Sequence, residues 1–162
     1  MNALDLLKQQ HDEVKKLFKK YEKLADHADE KRQELFEAIA DRLGAHAAIE
    51  EQYFYPAAKA EDTEDLLREA VEEHLSVKRI IADLLEMEPS DEEFDAKMQV
   101  LQEQIEHHVE EEETDLFKKV RKLLSKEQLE DLGLQMQQEF EELMEGEPRE
   151  QVPSETDQAA QI

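Results

Sequence analysis

Two segments of the chain place a histidine and a glutamate four residues apart on a helical face that should be buried. His46 precedes Glu50, and His108 precedes Glu112, at this spacing. Residues four apart lie on the same side of a helix, and here that side also carries leucine, isoleucine and phenylalanine. An unpaired carboxylate in such surroundings is strongly unfavourable. Each glutamate therefore needs a compensating partner, and a metal ion bound jointly with the histidine would provide it.

Two further histidines occupy core positions of predicted helices. His11 lies four residues after Leu7, and His74 lies four residues after Ala70. A single histidine on an apolar face is more often a hydrogen-bonded core residue than a metal ligand. Because about three-sevenths of helix positions face inward, four histidines would all do so by chance with a probability of roughly 3%. Their number therefore favours a metal site over a purely structural core.

An internal repeat relates these residues in pairs. The separation is the same to within one residue for three pairs: His11 and His74, His46 and His108, and Glu50 and Glu112. In a bundle of antiparallel helices, this repeat would bring all six side chains to one level with pseudo-twofold symmetry. These six residues are the predicted metal ligands.

The remaining pattern predicts the elements that hold them. Apolar residues recur at helical spacing in five segments, at about residues 2–26, 30–54, 63–87, 90–124 and 125–145. Pro56 and Pro89 would end the second and third helices, and Ser90 and Ser125 each open a capping box. We therefore predict an all-α protein. It comprises an antiparallel up-down four-helix bundle at residues 1–124, an additional amphipathic C-terminal helix at 125–145 and a disordered tail at 146–162.

The composition argues against several classes of function. Among 162 residues, 20 Lys and Arg stand against 44 Asp and Glu, giving a formal net charge of −24. Such a surface repels nucleic acids and anionic membranes, so we expect neither as a partner. The chain has no cysteine and hence neither disulfides nor thiolate metal ligands. No apolar segment approaches the roughly 20 residues of a membrane span, and the N-terminus lacks the features of a signal peptide. We expect a soluble, cytoplasmic protein.

The ligand types also narrow the choice of metal. Imidazoles combined with bridging carboxylates suit a pair of iron ions. Zinc usually takes four tetrahedral ligands, and magnesium and calcium prefer oxygen ligands. The predicted ligand set therefore favours iron.

The motifs resemble those of the hemerythrin-like (HHE) cation-binding domain family over about residues 1–124. The resemblance rests on a histidine in the first and third helices and on the repeated His-x-x-x-Glu motif in the second and fourth. It implies a non-haem di-iron centre bridged by two carboxylates and an oxo or hydroxo group. It also implies that the ligand is dioxygen, another small diatomic molecule or a peroxide.

Two positions depart from the oxygen-carrying members of that family. Lys78 stands where those proteins have a fifth histidine, four residues after the one in the third helix. Glu112 replaces an aspartate that typically lies one position further along. These differences imply a more open metal site, which favours exchange, redox chemistry or sensing over protected oxygen carriage.

Three more residues are candidates for contacts around the ligands. Tyr53 and Tyr21 share faces with predicted ligands, and His107 is adjacent to His108 but points about 100° away. We interpret His107 as a supporting or surface residue and the tyrosines chiefly as packing residues that could reach a bound oxygen species. The other nearby acids are interpreted as solvated groups: Glu51, Glu73, Glu110 and Glu111.

The sequence thus predicts a di-iron protein that binds or senses dioxygen or redox state. No second set of catalytic residues accompanies the metal motifs, so a binding or sensing module is favoured over an enzyme. The alternatives are a di-iron enzyme that acts on peroxide or nitrosative damage, and a protein that buffers or stores iron.

Overall fold

The elements are helical throughout in the computed structural model, which describes residues 1–162. The α-helices are α1 (Ala3–Glu22), α2 (Asp29–Ile49), α3 (Tyr55–Ala57), α4 (Glu64–Leu85), α5 (Glu92–Glu111), α6 (Phe117–Leu123) and α7 (Lys126–Met144). The prediction of an all-α protein is confirmed. None of these helices is long and apolar enough to cross a membrane.

Two π-helical turns interrupt the long helices at equivalent positions of the repeat. Glu50–Phe54 joins α2 to α3, and Glu112–Leu116 joins α5 to α6. In each turn, the amide that follows donates to the carbonyl of the glutamate five residues earlier. Pro56 is not the cause, since the second copy has Lys118 at the corresponding position. Because a π turn adds a residue to the helical turn, it rotates the following side chains relative to the preceding ones.

Side chains cap two of the helix starts. Asn2 caps α1 by accepting a hydrogen bond from the amide of Asp5, and Ser125 forms the predicted capping box with Gln128 at the start of α7. The capping box predicted at Ser90 is wrong. Asp91 is the residue that precedes α5, and its side chain makes no capping hydrogen bond.

The buried apolar residues form two clusters with a gap between them. The first cluster includes Leu7, Ile49, Val71 and Phe117. The second includes Val14, Leu43, Val77 and Leu101. On each long helix, a predicted metal ligand lies between the residues of one cluster and those of the other. The helices therefore present the ligands at one common level of the bundle, as the repeat predicted.

Helix α7 packs against α1 and α2. Its close approach requires Gly133, because a Cβ atom there would lie 2.6 Å from the carbonyl oxygen of Met1 and 2.7 Å from the amide nitrogen of Ala3. A side chain at this position would collide with backbone that cannot move without displacing α1. The additional C-terminal helix is thus fixed against the start of the chain.

The prediction of a disordered tail after Gly146 is corrected by the structure. Pro148–Glu155 forms a 3₁₀ helix that contacts α2 and α4, and Val152 within it is only 2% exposed. We call residues 147–157 the C-terminal strap. A single buried valine in a polar, proline-containing segment produces no periodic pattern, so the sequence showed no signal for this element.

Candidate metal centre

The six predicted ligands are all buried, and they converge between the two apolar clusters. They are His11, His46, Glu50, His74, His108 and Glu112. Their ligand atoms fall into two groups that share Glu50, and within each group the atoms lie within 4.8 Å of one another. We call the group around His11 the first half-site and the group around His74 the second half-site.

The first half-site consists of His11, His46, Glu50 and Glu112. The Nε2 atom of His11 lies 3.2 Å from Oε1 of Glu112, and Nε2 of His46 lies 3.1 Å from Oε1 of Glu50. Two imidazoles and two carboxylates therefore direct one atom each toward the same point. This is the geometry of a set of metal ligands.

The second half-site consists of Glu50, His74 and His108. The Nε2 atom of His74 is 3.2 Å from Oε1 of Glu50. The Nε2 atom of His108 is 3.3 Å from Oε2 of Glu112, whose other oxygen faces the first half-site. Both carboxylates therefore lie between the two pairs of imidazoles, and each contacts one histidine of either pair.

The polar atoms at the centre lack hydrogen-bond partners. These atoms are Nε2 of His11, Nε2 of His46, both carboxylate oxygens of Glu50 and Oε1 of Glu112. Some lie within 3.3 Å of one another, but they are aimed at a common point and do not form aligned hydrogen bonds. Leaving a buried polar atom unpaired costs about 1–3 kcal/mol. Metal binding would satisfy these atoms, so the residues fit a metal centre.

In each histidine, the nitrogen that faces away from the centre is Nδ1, and it contacts a polar side chain. We call Nδ1 the outer nitrogen. Nδ1 of His11 contacts Glu113 at 2.6 Å, Nδ1 of His46 contacts Gln10 at 2.7 Å, Nδ1 of His74 contacts Glu51 at 2.7 Å, and Nδ1 of His108 contacts Glu73 at 2.7 Å. An acceptor at Nδ1 fixes a proton there, so that Nε2 is the nitrogen that would bind a metal ion, and such contacts orient metal-binding histidines.

The interpretation of Glu51 and Glu73 as solvated acids was therefore wrong. The side chain of Glu51 is 13% exposed and that of Glu73 is 21% exposed. The repeat contained a usable signal, because Glu51 and Glu113 directly follow the ligand glutamates. Likewise, Gln10 and Glu73 directly precede the ligand histidines His11 and His74.

The carboxylates around the centre change the proton affinity of the histidines. Burial lowers the pKa of His11, but the neighbouring Glu112 and Glu113 outweigh burial and raise it to about 9. Burial likewise lowers the pKa of His108, and Glu112 and Glu73 raise it well above its ordinary value. In the metal-free protein, these histidines are therefore the positive partners of the carboxylates, a role that a metal ion would take over.

Tyr55 also faces the centre, and sequence analysis missed it. Its hydroxyl group donates a 2.7 Å hydrogen bond to Oε2 of Glu112 and lies 3.2 Å from Nε2 of His74. Burial, followed by the nearby Glu112 and Glu50, raises the pKa of Tyr55 well above its ordinary value. The hydroxyl group therefore remains a proton donor inside the second half-site.

Tyr53 does not take this position, because the π turn rotates the helix between Glu50 and Tyr55. Tyr53 lies instead at the edge of the first apolar cluster. At the position equivalent to Tyr55, the second copy of the repeat has Phe117, whose ring stacks on His11 at 6.3 Å. The aromatic position near the centre is thus duplicated, but only one copy carries a hydroxyl group.

The other two candidates lie outside the centre. Tyr21 donates a 2.6 Å hydrogen bond to Asp95 and contacts the second apolar cluster. His107 is exposed, and its Nε2 atom is 3.6 Å from Oε2 of Glu73. Because Glu73 also holds His108, His107 contacts the surroundings of the centre without facing it.

Lys78 is buried at the position of the absent fifth histidine. Its Nζ atom pairs with Oε1 of Glu51 at 2.9 Å and with Oε1 of Glu155 at 3.1 Å. Since Glu51 also holds His74, Lys78 connects a ligand of the second half-site to the C-terminal strap.

The chain matches known proteins in three comparisons. Residues 2–120 match the family model of the hemerythrin HHE cation-binding domain. The fold resembles the crystal structure of a hemerythrin HHE cation-binding domain-containing protein from Mycobacterium kansasii, with a TM-score of 0.79 and 25% identity over 99% of this chain and 95% of that one. A protein described as a DNA nickase, from Nostoc sp., is 33% identical over 130 residues, which are 80% of this chain but only 36% of that protein.

Proposed function

This chain belongs to the hemerythrin HHE cation-binding domain family, and from that premise we propose that it is a non-haem di-iron protein that binds dioxygen or senses redox state. The observation that carries the proposal is the set of buried, unpartnered imidazole and carboxylate atoms aimed at one centre. In this proposal, α1, α2, α4 and α5 form an antiparallel up-down four-helix bundle in which each helix supplies ligands from its interior face.

The composition of the two half-sites supports iron and a count of two. His11 and His46 would bind one ion, and His74 and His108 the other, with Glu50 and Glu112 bridging. Four imidazoles with two shared carboxylates match the ligand preferences of iron better than those of calcium or magnesium, which favour oxygen ligands. The ligands also fall short of filling two octahedral shells, so each ion would keep an open position.

Iron in this site would supply reversible redox chemistry and a position for a small oxidant. The chain supplies the surroundings. The four Nδ1 contacts keep the imidazoles in a fixed orientation, and the two apolar clusters exclude water from either side. Tyr55 holds a proton within hydrogen-bond distance of Glu112.

Metal analysis of protein produced in iron-supplemented cells tests this proposal. We expect two irons per chain and an absorption band that changes when oxygen is admitted to the reduced protein. The variant Glu50→Gln should lose the metal, whereas Glu110→Gln, which alters an exposed glutamate, should keep it. Zinc alone with no spectral response to oxygen would overturn the proposal, and release of iron to a mild chelator would favour buffering or storage instead.

A second candidate function is an enzyme that acts on peroxide or nitrosative damage. The observation that favours it is the hydroxyl group of Tyr55, because a buried, fixed hydroxyl group can donate a hydrogen bond to a peroxide substrate. This candidate predicts steady disproportionation of hydrogen peroxide to water and dioxygen by the iron-loaded protein, and a decrease of about 100-fold in the variant Tyr55→Phe. A wild-type protein that binds oxygen without turning over peroxide would restrict the function to binding or sensing.

Nicking of DNA is not proposed for this chain. The matched region covers about a third of the Nostoc protein, and the net charge of −24 opposes contact with phosphates.

A further inference from the structure

An apolar cavity of about 40 Å³ adjoins the metal centre. All four predicted histidine ligands contribute to its lining, and Leu43, Ile81 and Val152 are among the apolar side chains that line it. This volume exceeds the roughly 10–15 Å³ that a cavity needs to hold one water molecule, and it is far below the roughly 150 Å³ of a cavity that holds benzene. The cavity therefore suits a diatomic molecule or hydrogen peroxide and excludes bulkier molecules.

One part of the cavity lining does not come from the bundle helices. Val152 belongs to the C-terminal strap, which contacts α2 on one side and α4 on the other. Glycine at position 44 eases this close approach: a Cβ atom there would be 3.3 Å from Cγ2 of Val152 and 3.3 Å from the carbonyl oxygen of Pro148, which is tighter than an ordinary contact. Val152 thus covers the cavity between the two helices.

Besides the buried Pro148 and Val152, the strap is attached to the bundle by ion pairs and hydrogen bonds at its two ends. Near its start, Arg149 pairs with Asp41 at 2.8 Å. Near its end, Glu155 pairs with Lys78 at 3.1 Å, and Arg79 donates a 2.9 Å hydrogen bond to the carbonyl oxygen of Thr156. The side chain of Glu155 is 49% exposed, and an ion pair with an exposed partner competes with solvent. A short segment held this way should open more readily than the helices beneath it.

We propose that the C-terminal strap is a movable wall of the ligand cavity and that Val152 sets the size of the molecule that reaches the metal centre. The identity of the ligand rests on the proposed function, whereas the cavity and its wall do not depend on bound metal. In the closed arrangement, Val152 limits the cavity to a small apolar or diatomic molecule. Opening of the strap between α2 and α4 would provide a path from solvent.

Xenon binding to the metal-free, full-length protein tests the wall without involving iron. Xenon fills small apolar cavities, and NMR shifts of the methyl groups of Val152 and Ile81 would report it. We expect saturable binding in the wild-type protein, loss of binding in Val152→Leu, and unchanged binding in the control Val100→Ala, which alters an exposed valine. Wild-type protein that binds no xenon, or Val152→Leu that binds it as the wild type does, would overturn the assignment.

Opening of the C-terminal strap is tested by the variant Glu155→Gln. This substitution changes an exposed side chain and removes its ion pair with Lys78. We expect amide hydrogen exchange in residues 149–156 to accelerate about 2- to 5-fold, with no change in Glu145→Gln, an exposed glutamate outside the strap. Unchanged exchange in Glu155→Gln would contradict a strap that is held at this end.

Selection of the ligand by size is tested in the iron-loaded protein. The rates at which hydrogen peroxide and the bulkier cumene hydroperoxide oxidise the reduced metal are compared. We expect a strong preference for hydrogen peroxide in the wild-type protein and a preference about 10-fold smaller in Val152→Ala. An unchanged preference would overturn the role of Val152 in size selection. Failure to load iron would count against the proposed function alone, because the xenon and exchange experiments use metal-free protein.

Discussion

The first half-site, with His11 and His46, and the second half-site, with His74 and His108, are copies of one frame, and three of their differences affect the surroundings of the ligands. The three differences are Gln10 against Glu73, Phe117 against Tyr55, and the exposed Lys15 against the buried Lys78. Each pair occupies the same place in the repeat. The two copies of the repeat therefore supply the same types of ligand, whereas the residues next to the ligands differ.

The divergence makes the second half-site the more polar of the two. The outer nitrogen of His46 is held by the neutral Gln10, whereas that of His108 is held by the carboxylate of Glu73. A carboxylate at that position increases the basicity of the imidazole. We therefore expect the second half-site to bind a cation more tightly than the first and to be the half-site in which Tyr55 donates a hydrogen bond.

The largest effect on metal binding should come from replacing Glu50, the residue that the two half-sites share. Glu50 belongs to both groups of ligands and is fully buried. Replacing it with glutamine should weaken binding at both half-sites by more than the roughly 10- to 100-fold that loss of a supporting contact costs. Metal content after dialysis measures this. Retention of one tightly bound ion would mean that Glu50 does not bridge.

Metal-free protein should lose stability as the pH rises. The pKa of His11 is raised from an ordinary value of 6.5 to about 9. The stability contributed by its protonation is therefore complete below about pH 6.5 and is lost as the pH rises through 9. A shift of this size corresponds to about 3 kcal/mol. Urea unfolding of chelator-treated protein between pH 6 and pH 10 checks the direction, and His11→Gln should flatten the curve. A stability that rises over this range would contradict the assigned contacts.

Exchanging the residues that hold the outer nitrogens should reverse the difference between the half-sites. Glu73→Gln should weaken metal binding at the second half-site by about 10-fold, and Gln10→Glu should strengthen binding at the first. Stepwise metal titration followed by calorimetry resolves the two affinities. Equal effects of both variants on both binding steps would show that the half-sites do not act separately.

The smallest effect should follow from moving the hydroxyl group. Tyr55→Phe removes the hydrogen bond to Glu112 and should lower the free energy of unfolding of metal-free protein by about 1–2 kcal/mol. Phe117→Tyr places a hydroxyl group in the apolar surroundings of His11 and serves as the matched variant. Thermal unfolding of the wild-type protein and of both variants measures the change in stability. No loss of stability in Tyr55→Phe would mean that the hydrogen bond contributes nothing.

Much of the centre could be predicted because its ligands obey helical periodicity. The positions of His11, His46, His74 and His108 within apolar faces required only the spacing of side chains along a helix. The repeat then indicated that the four would lie at one level. These inferences are local, and the backbone geometry of a regular helix makes them reliable.

The errors arose where the helix stops being regular or where distant segments meet. The π turn after Glu50 brought Tyr55 to the centre in place of Tyr53, and nothing in the residue types distinguishes such a turn from an α-helical one. Glu73 could be recognised as a partner of His108 only once α4 and α5 were packed together.

The sequence alone thus determined an all-α chain with a duplicated pair of histidine–glutamate motifs facing the interior, because both follow from helical spacing. Only the tertiary structure decided which side chains hold the histidines, that Tyr55 enters one half-site, and that a polar terminal segment covers the cavity. The reason is that these contacts depend on the packing of segments far apart in the chain, which no local pattern encodes.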